Sequence, residues 1–389
     1  MSGLVIKPRS RIFHGHDWVF STEVSRPLGE PEPGEVIVLK DVRGRPLGSA
    51  IYNPASQIVA RRFSRRKQEL DTDFFLRRIG RALGWREHHG VDARLCRIVW
   101  SESDGLPGVI VDRYGDHLVL QTLTLAMDQR RESIADALVE IFKPRSIIER
   151  NDTTSRKAEG LESRTGVLRG DAPEPFRVDA NGLPLEVDLM DGQKTGLYLD
   201  QLANYGEVAR WASGRKVLDC FSNQGGFALA CARAGAAEVT AVESSEQAVA
   251  RGRANSQLID ASIQWEASNA FDFLKKSQAG GREADLIVLD PPSFTRTRKA
   301  VGDALRGYKE IHLRSLKILQ PGGILATFCC SHHVGRSDFL KSVKDASVDA
   351  KKNLRQIASF TQSPDHPIVP TMPETEYLKG FAFEVVPAW

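Results

Sequence analysis

The sequence predicts an α/β protein: a doubly wound parallel sheet in the C-terminal half, preceded by a small β-domain and a central α/β domain. Three observations carry this. From about Lys216 the pattern alternates strand, helix, strand, helix to the end of the sheet. The run Asp285-Leu286-Ile287-Val288-Leu289-Asp290 is almost wholly apolar, as a central parallel strand covered on both faces must be. The first 70 residues instead show short β-branched runs broken by turn residues. At 389 residues with 41% hydrophobic and 26% charged side chains, the chain is long enough for two or three domains with proper cores.

In chain order, Val36–Leu39 and Ile58–Ala60 read as strands on either side of the turn-rich Asp41–Pro46, and five Pro or Gly residues between Pro27 and Gly34 mark a loop. Asp71–His89 is helical, because Phe74, Phe75, Ile79, Leu83 and Trp85 recur at three- and four-residue spacing. Strands are expected near Val109–Asp112 and Leu118–Thr122, and a helix near Arg131–Phe142. Gly160–Pro184, thick with Gly, Pro, Glu and Arg, reads as a boundary. Then follow a strand at Lys216–Asp219, a helix at Gly226–Ala234, a strand at Glu238–Glu243, a helix to about Leu258 and a strand at Ile263–Glu266. After the apolar strand come an amphipathic helix, Leu305–Leu319, and a buried strand, Gly323–Phe328. Domains are expected at 1–70, 71–175 and 176–389.

No stretch approaches eighteen consecutive apolar residues, and Ile318–Val334 is interrupted by Pro321, two glycines and two histidines, so no membrane span is expected. The N-terminus lacks a hydrophobic signal core, which points to the cytoplasm. Five cysteines (Cys96, Cys220, Cys231, Cys329, Cys330) form no CxxC pair and no zinc spacing, so no metal site and no disulfide is expected. The net charge is only +3, but residues 1–70 hold twelve Lys/Arg against seven Asp/Glu. Arg61, Arg62, Arg65, Arg66 and Lys67 crowd around Phe63, a pattern suited to a phosphate backbone with a base to stack on, or equally to a solvated edge strand.

In a doubly wound sheet, ligands sit at the carboxyl ends of the strands. The first strand of the C-terminal half runs into Asp219-Cys220-Phe221-Ser222-Asn223-Gln224-Gly225-Gly226, a glycine-bearing turn that opens a helix. The next strand ends on Glu243, where a carboxylate can accept both hydroxyls of a ribose. A nicotinamide fold would want G-x-G-x-x-G, yet Phe221 and Asn223 stand where its first two glycines fall. The loop resembles instead the first motif of class I methyltransferases, whose S-adenosylmethionine has no pyrophosphate to cradle. Asp219, Phe221, Ser222, Asn223, Gly225 and Glu243 are the candidate cofactor residues.

Asp290-Pro291-Pro292-Ser293-Phe294 leaves the apolar strand through two prolines that can continue neither ladder nor helix, which aims Asp290 into the cleft. It looks like the D/N-P-P motif of base-modifying methyltransferases. The neighbouring strand ends Thr327-Phe328-Cys329-Cys330-Ser331. Carbon 5 of cytosine is not nucleophilic; a thiolate adding to carbon 6 makes it so, and a carboxylic acid near N3 or O2 would stabilise the charge that develops. Cys330 as nucleophile and Asp290 as ring-orienting acid meet that need, while Cys329 on the opposite side of the strand packs.

The sequence closely resembles the bacterial ribosomal RNA large subunit methyltransferase I family, which makes 5-methylcytidine in 23S rRNA. The resemblance runs almost end to end, through His16–Ser21, Tyr52–Ile58, Glu102–Gly108, Gly192–Gln201, both cleft motifs, Arg306–Lys309, Asp365–Pro367 and Tyr377–Phe381. It implies an N-terminal PUA-like RNA-binding barrel, a central α/β domain and a C-terminal class I methyltransferase domain using S-adenosylmethionine. It places Thr195, Asp200 and Gln201 over the cofactor, Asn269 near the adenine amino group, the nucleophile at Cys330, and Arg306 and Lys309 with the basic run among the RNA contacts. Ser293 stands where many other cytosine-5 RNA methyltransferases carry a second cysteine, which implies one-cysteine chemistry. Cys329 stands where the family usually has serine. A purine amino-group methyltransferase, which needs no thiol, and a non-catalytic RNA-binding factor are the alternatives; a nicotinamide oxidoreductase is disfavoured. Oligomeric state is not legible, with a homodimer one option.

Overall fold

The computed structural model describes residues 2–190, 195–295 and 297–387, and the chain divides into two compact units. The first comprises Met1–Val178, Val187–Leu199 and Pro364–Thr375; the second comprises Asp179–Glu186, Asp200–Ser363 and Glu376–Trp389. Among the described residues no helix is long and apolar enough to cross a membrane.

The first unit opens on six strands, β1 (Gly3–Ile6), β2 (Trp18–Val19), β3 (Val24–Leu28), β4 (Val36–Asp41), β5 (Pro46–Tyr52) and β6 (Ala60–Ser64), in the order β2-β6-β5-β4-β1-β3. In β4 Ile37 and Leu39 are buried and alternate with half-buried neighbours, the two-residue period of a strand with one face on a core. That core holds Leu4, Ile6, Val19 and Ala50 as well. The strand expected at Ile58–Ala60 instead begins at Ala60 and runs through the arginine pair to Ser64.

Helix α1 (Thr72–His88) follows, capped by Asp71, whose carboxylate accepts the Phe74 amide at 2.7 Å. Its buried face is Phe74, Phe75, Ile79 and Ala82. A five-stranded sheet of β7 (Leu95–Trp100), β8 (Val109–Tyr114), β9 (His117–Thr122), β10 (Ser146–Asn151) and β11 (Arg164–Gly170) packs with α2 (Leu125–Asp128) and α3 (Arg131–Phe142). Gly160–Pro184 is therefore no simple linker. It contains β11, antiparallel to β10, and leads into a two-stranded sheet of β12 (Phe176–Ala180) and β13 (Leu183–Val187). As an edge strand β11 buries little, so its sequence carries no continuous apolar run to announce it.

The second unit takes in most of β13 and then holds α4 (Leu202–Ala209), β14 (Lys216–Cys220), α5 (Gly226–Arg233), β15 (Glu238–Glu243), α6 (Glu246–Leu258), β16 (Gln264–Ala267), α7 (Ala270–Ala279) and β17 (Ala284–Leu289). It continues with α8 (Val301–Ile318), β18 (Leu319–Cys329), α9 (Arg336–Ala350), β19 (Asn353–Thr361) and β20 (Lys379–Val386). The sheet order is β16-β15-β14-β17-β18-β20-β19, with β14 to β18 parallel and β20 antiparallel to both neighbours. The chain winds outward from β14 to β16, then returns to β17. The carboxyl ends of β14 and β17 thus lie at the switch point, the place where sheets of this kind take their ligands. Leu286, Ile287, Val288 and Leu289 of β17 are wholly buried, as a central strand requires.

Candidate active site

The loop leaving β14 is set by its backbone. Gly225 has φ +93°, and a Cβ there would come within 2.8 Å of the Trp265 ring; one on Gly226 would come within 2.2 Å of Tyr205. Phe221 (φ +64°) and Asn223 (φ +48°) also lie in the left-handed region, which L-residues with large side chains adopt only under constraint from their surroundings. The Phe221 ring meets those of Phe271 and Phe294. The Asn223 amide donates to Glu243 Oε2 at 3.0 Å, and the other Glu243 oxygen accepts the Ser245 amide at 2.9 Å. Glu243 is thereby oriented at the end of β15.

Asp219 is wholly buried, with Oδ2 accepting the Ala228 amide of α5 at 3.0 Å. Burial, reinforced by Asp290 and Glu243, raises its pKa well above the usual carboxylate range, opposed by the Ala228 bond. Asp219 Oδ1 and the Ser222 hydroxyl are buried with no hydrogen-bond partner among the described residues. Such orphaned polar atoms beside a glycine-bearing loop and an oriented carboxylate suit a polar ligand that carries a ribose. Asn269 is the N-cap of α7, its side-chain oxygen accepting the Phe271 amide at 2.9 Å, so that atom serves the helix first.

Asp290 lies just beyond β17. Gln201 Nε2 donates to Asp290 Oδ2 at 3.0 Å, and Asn204 Nδ2 donates to Gln201 Oε1 at 2.6 Å. Gln201, expected over the cofactor, has its amide on Asp290, a contact that no spacing in the sequence announces. Asp200 is buried; Tyr377 Oη donates to its Oδ2 at 2.7 Å and the Ser363 amide to its carbonyl at 2.8 Å.

Cys330 follows the end of β18 and is half-buried, its thiol 3.7 Å from the Pro291 carbonyl of the Asp290-Pro291-Pro292 turn. Cys329 is fully buried in the core with Tyr308 and Phe339. The turn after Cys330 is pinned by Lys379, a buried residue whose ammonium donates to the carbonyls of Ser331 at 2.9 Å and Val334 at 3.0 Å. Burial lowers the Lys379 pKa, while the two thiols and Glu376 oppose that shift. Ser331 shares hydrogen bonds of 3.0 Å with Ser293 and with Tyr308. The Tyr377–Phe381 stretch carries Lys379, but only the folded ladder, which pairs Cys329 with Lys379, brings it to the cysteines.

Most of the remaining expected site residues have partners of their own. Thr195 belongs to the first unit, where its buried hydroxyl donates to Asp112 Oδ2 at 2.6 Å; Gly192, Gln193 and Lys194 of the same stretch lie outside the described residues. The basic run divides in two. Arg61 pairs with Glu102 at 2.8 Å and Glu159 at 3.5 Å, Arg62 pairs with Asp17 at 2.7 Å, and Phe63 is buried, whereas Arg65, Arg66 and Lys67 are exposed. On α8, Arg306 is ion-paired to Asp303, and Lys309 to Asp349 at 2.7 Å.

A family profile described as S-adenosylmethionine-dependent methyltransferase matches residues 156–377, and a PUA-like domain profile matches residues 7–65. A ribosomal RNA large subunit methyltransferase I of Erwinia tasmaniensis is 40% identical over 378 residues, 95% of this chain and 96% of that protein. The protein of the same name from Klebsiella pneumoniae is 38% identical over 380 residues, 95% and 94% of the two chains. Two solved structures share the fold at TM-scores of 0.84 and 0.86: a SAM-dependent methyltransferase from Streptococcus mutans, 22% identical, and a methyltransferase complexed with SAH, 23% identical. Each alignment covers 99% of this chain and 100% of the other. The chain belongs to the ribosomal RNA large subunit methyltransferase I family, uses S-adenosylmethionine, and combines a PUA-like N-terminal domain with a class I methyltransferase fold.

Proposed function

We propose that this protein methylates carbon 5 of a cytidine in 23S ribosomal RNA, with Cys330 as nucleophile and Asp290 as the acid that orients the base. The observation that carries the reading is the approach of the Cys330 thiol to the turn that follows Asp290. Glu243 holds the ribose hydroxyls of the cofactor, with Asp219, Phe221, Ser222, Asn223 and Gly225 shaping the loop beneath it; Asn269 faces the adenine. Asp200 and Thr195 support neighbouring segments, and Gln201 positions Asp290. Arg65, Arg66 and Lys67 are the part of the basic run available to RNA, with Arg306 and Lys309 as further cations on α8.

The Cys330 thiolate adds to carbon 6, its electron pair forming the S–C6 bond while the ring electrons shift to carbon 5. Asp290 holds the N3/O2 edge and stabilises the charge that gathers there. Bound S-adenosylmethionine would supply an electrophilic methyl on a sulfonium: the electron pair at carbon 5 forms the new carbon–carbon bond as the methyl–sulfur bond breaks, its electrons staying on the neutral sulfur of S-adenosylhomocysteine. Loss of the carbon-5 proton then returns an electron pair to the ring, the S–C6 bond breaks, and Cys330 leaves as thiolate. Labelled methyl transfer to unmethylated 23S rRNA tests this. Cys330→Ala is expected to be dead and Cys329→Ala active, with 5-methylcytidine as product; activity in Cys330→Ala or a methylated purine overturns the assignment.

A further inference from the structure

We infer that a groove between the end of β6 and helix α1 binds a single-stranded segment of the RNA substrate, Arg65, Arg78 and Arg81 holding its phosphates and Trp85 stacking on a base. Arg78, Arg81 and Trp85 stand at i, i+3 and i+7 of α1 and so share one helix face; with Arg65 they line a groove of about 410 Å³ within the first unit.

The charge in this groove is unbalanced. Its carboxylates are already spent: Asp17 on Arg62 at 2.7 Å, Glu102 on Arg61 at 2.8 Å and Asp104 on Arg86 at 2.6 Å. Neither Arg65, Arg78 nor Arg81 makes an ion pair among the described residues. Arg78 is nevertheless fixed. Its Nη2 donates to the Phe63 carbonyl at 3.0 Å, its guanidinium lies 5.2 Å from the centre of the Phe74 ring, and a Cβ on Gly105 would come within 2.9 Å of its Nη1. Half-burial, then the nearby charges of Arg81 and Arg77, pull its pKa down. A half-buried, immobilised cation among like charges is unfavourable unless an anion completes it.

Trp85 distinguishes the class of anion. It is 36% exposed at the rim of the groove and already stacked on His89, with ring centroids 4.1 Å apart and planes 23° apart. Cations beside a partly exposed indole, held by the stacked His89 ring and by Arg86, whose guanidinium lies 5.5 Å from its centroid, match the alternation of phosphate and base in a single strand. An acidic peptide would use the arginines and leave the indole idle. The groove lies beside the last strand of the sheet within the PUA-like match, and it enlarges the RNA contact beyond Arg65, Arg66 and Lys67.

The inference rests on the reading of RNA as substrate, and binding tested without methyl transfer separates the two. The full chain is titrated with labelled unmethylated 23S rRNA fragments at several salt concentrations, by anisotropy. Replacing Arg65, Arg78 and Arg81 together by Gln is expected to weaken binding at least tenfold and to lower the slope of log K against log salt by about 2, the value for three single-strand phosphate contacts. Trp85→Ala is expected to cost about 5- to 100-fold with the slope unchanged, and Trp85→Phe to recover most of it. The same loss of charge at Lys317, Lys341 and Lys344 serves as the control and is expected to change little. An arginine triple variant that is folded by its melting temperature and binds with wild-type affinity and slope overturns the groove. So does binding of poly-glutamate as tight as RNA and indifferent to Trp85, which would mark an acidic-protein site. Failure of the wild type to bind RNA at all overturns the substrate reading instead.

Discussion

The side-chain amide of Gln201 donates to the Asp290 carboxylate at 3.0 Å, and Asn204 fixes the other end of that amide at 2.6 Å. Two neutral side chains thus help to orient the Asp290 carboxyl group, and the relay starts in α4, remote from the D-P-P motif in sequence. A hydrogen bond to a charged group is worth about 1.5–3 kcal/mol. Gln201→Ala is therefore expected to slow methyl transfer about 10- to 100-fold while changing S-adenosylmethionine affinity by less than threefold. Single-turnover rates beside calorimetry check this; a matching loss of cofactor affinity would return Gln201 to the cofactor.

Asp219 is a buried acid whose pKa burial raises well above the ordinary carboxylate range, with one oxygen on the Ala228 amide. An asparagine side chain reproduces that shape and that acceptor without a charge. Asp219→Asn is expected to melt within a few degrees of wild type, whereas Asp219→Ala leaves a buried amide unpaired at a cost of about 1–3 kcal/mol. Thermal denaturation of the two variants distinguishes a neutral acid from an ionised one, since an ionised Asp219 would make the asparagine variant as damaged as the alanine one.

Lys379→Met removes both hydrogen bonds to the turn after Cys330 and a cation near both thiols. Methyl transfer is expected to fall at least tenfold, because small misplacement of a reacting group is costly. The pH midpoint of Cys330 alkylation is expected to rise, since a thiolate loses a neighbouring positive charge. Iodoacetamide labelling followed by peptide mass analysis reads the midpoint directly; wild-type rate and midpoint in the variant would leave the lysine a packing role.

His312 is fully buried, 2.9 Å from the Thr327 hydroxyl, and burial drives its pKa down to about 3. Below pH 6.5 the unfolded chain takes up a proton that the folded chain refuses, so stability is full above pH 6.5 and is lost as pH falls towards 3. This group alone is expected to make the protein about 2 kcal/mol less stable at pH 5 than at pH 7. Urea denaturation at the two pH values, wild type against His312→Gln, measures the difference; an equal acid loss in both proteins would rule the histidine out.

Much of the second unit was legible because each strand of a parallel sheet carries its own apolar run, and β17 is the plainest case. The residues meeting at the cleft were legible as motifs, since turns at strand ends need particular residue types: Gly225 for its backbone, the prolines after Asp290 for their rigidity. What stayed hidden were contacts that depend on distant pairing. Lys379 meets the cysteine turn only through an antiparallel register, and Gln201 reaches Asp290 only once α4 is in place. The ion pairs of Arg61 and Arg62 were hidden for the same reason: five cations in seven positions look unpaired until Glu102, Glu159 and Asp17 arrive from elsewhere in the chain.

The position of β20 between β18 and β19 bears on how the protein is made. On the ribosome, β18 and β19 emerge well before the strand that separates them, and neither can pair along its inner edge until residues 379–386 have been synthesised. Up to that moment β18 exposes an open ladder that invites pairing with other chains, and Lys379 is not yet there to hold the cysteine turn. The surroundings of Cys330, the proposed nucleophile, are thus completed only once β20 has been synthesised, so a nascent chain stalled before residue 379 would carry the loop after β14 and Asp290 but no Lys379 on the cysteine turn.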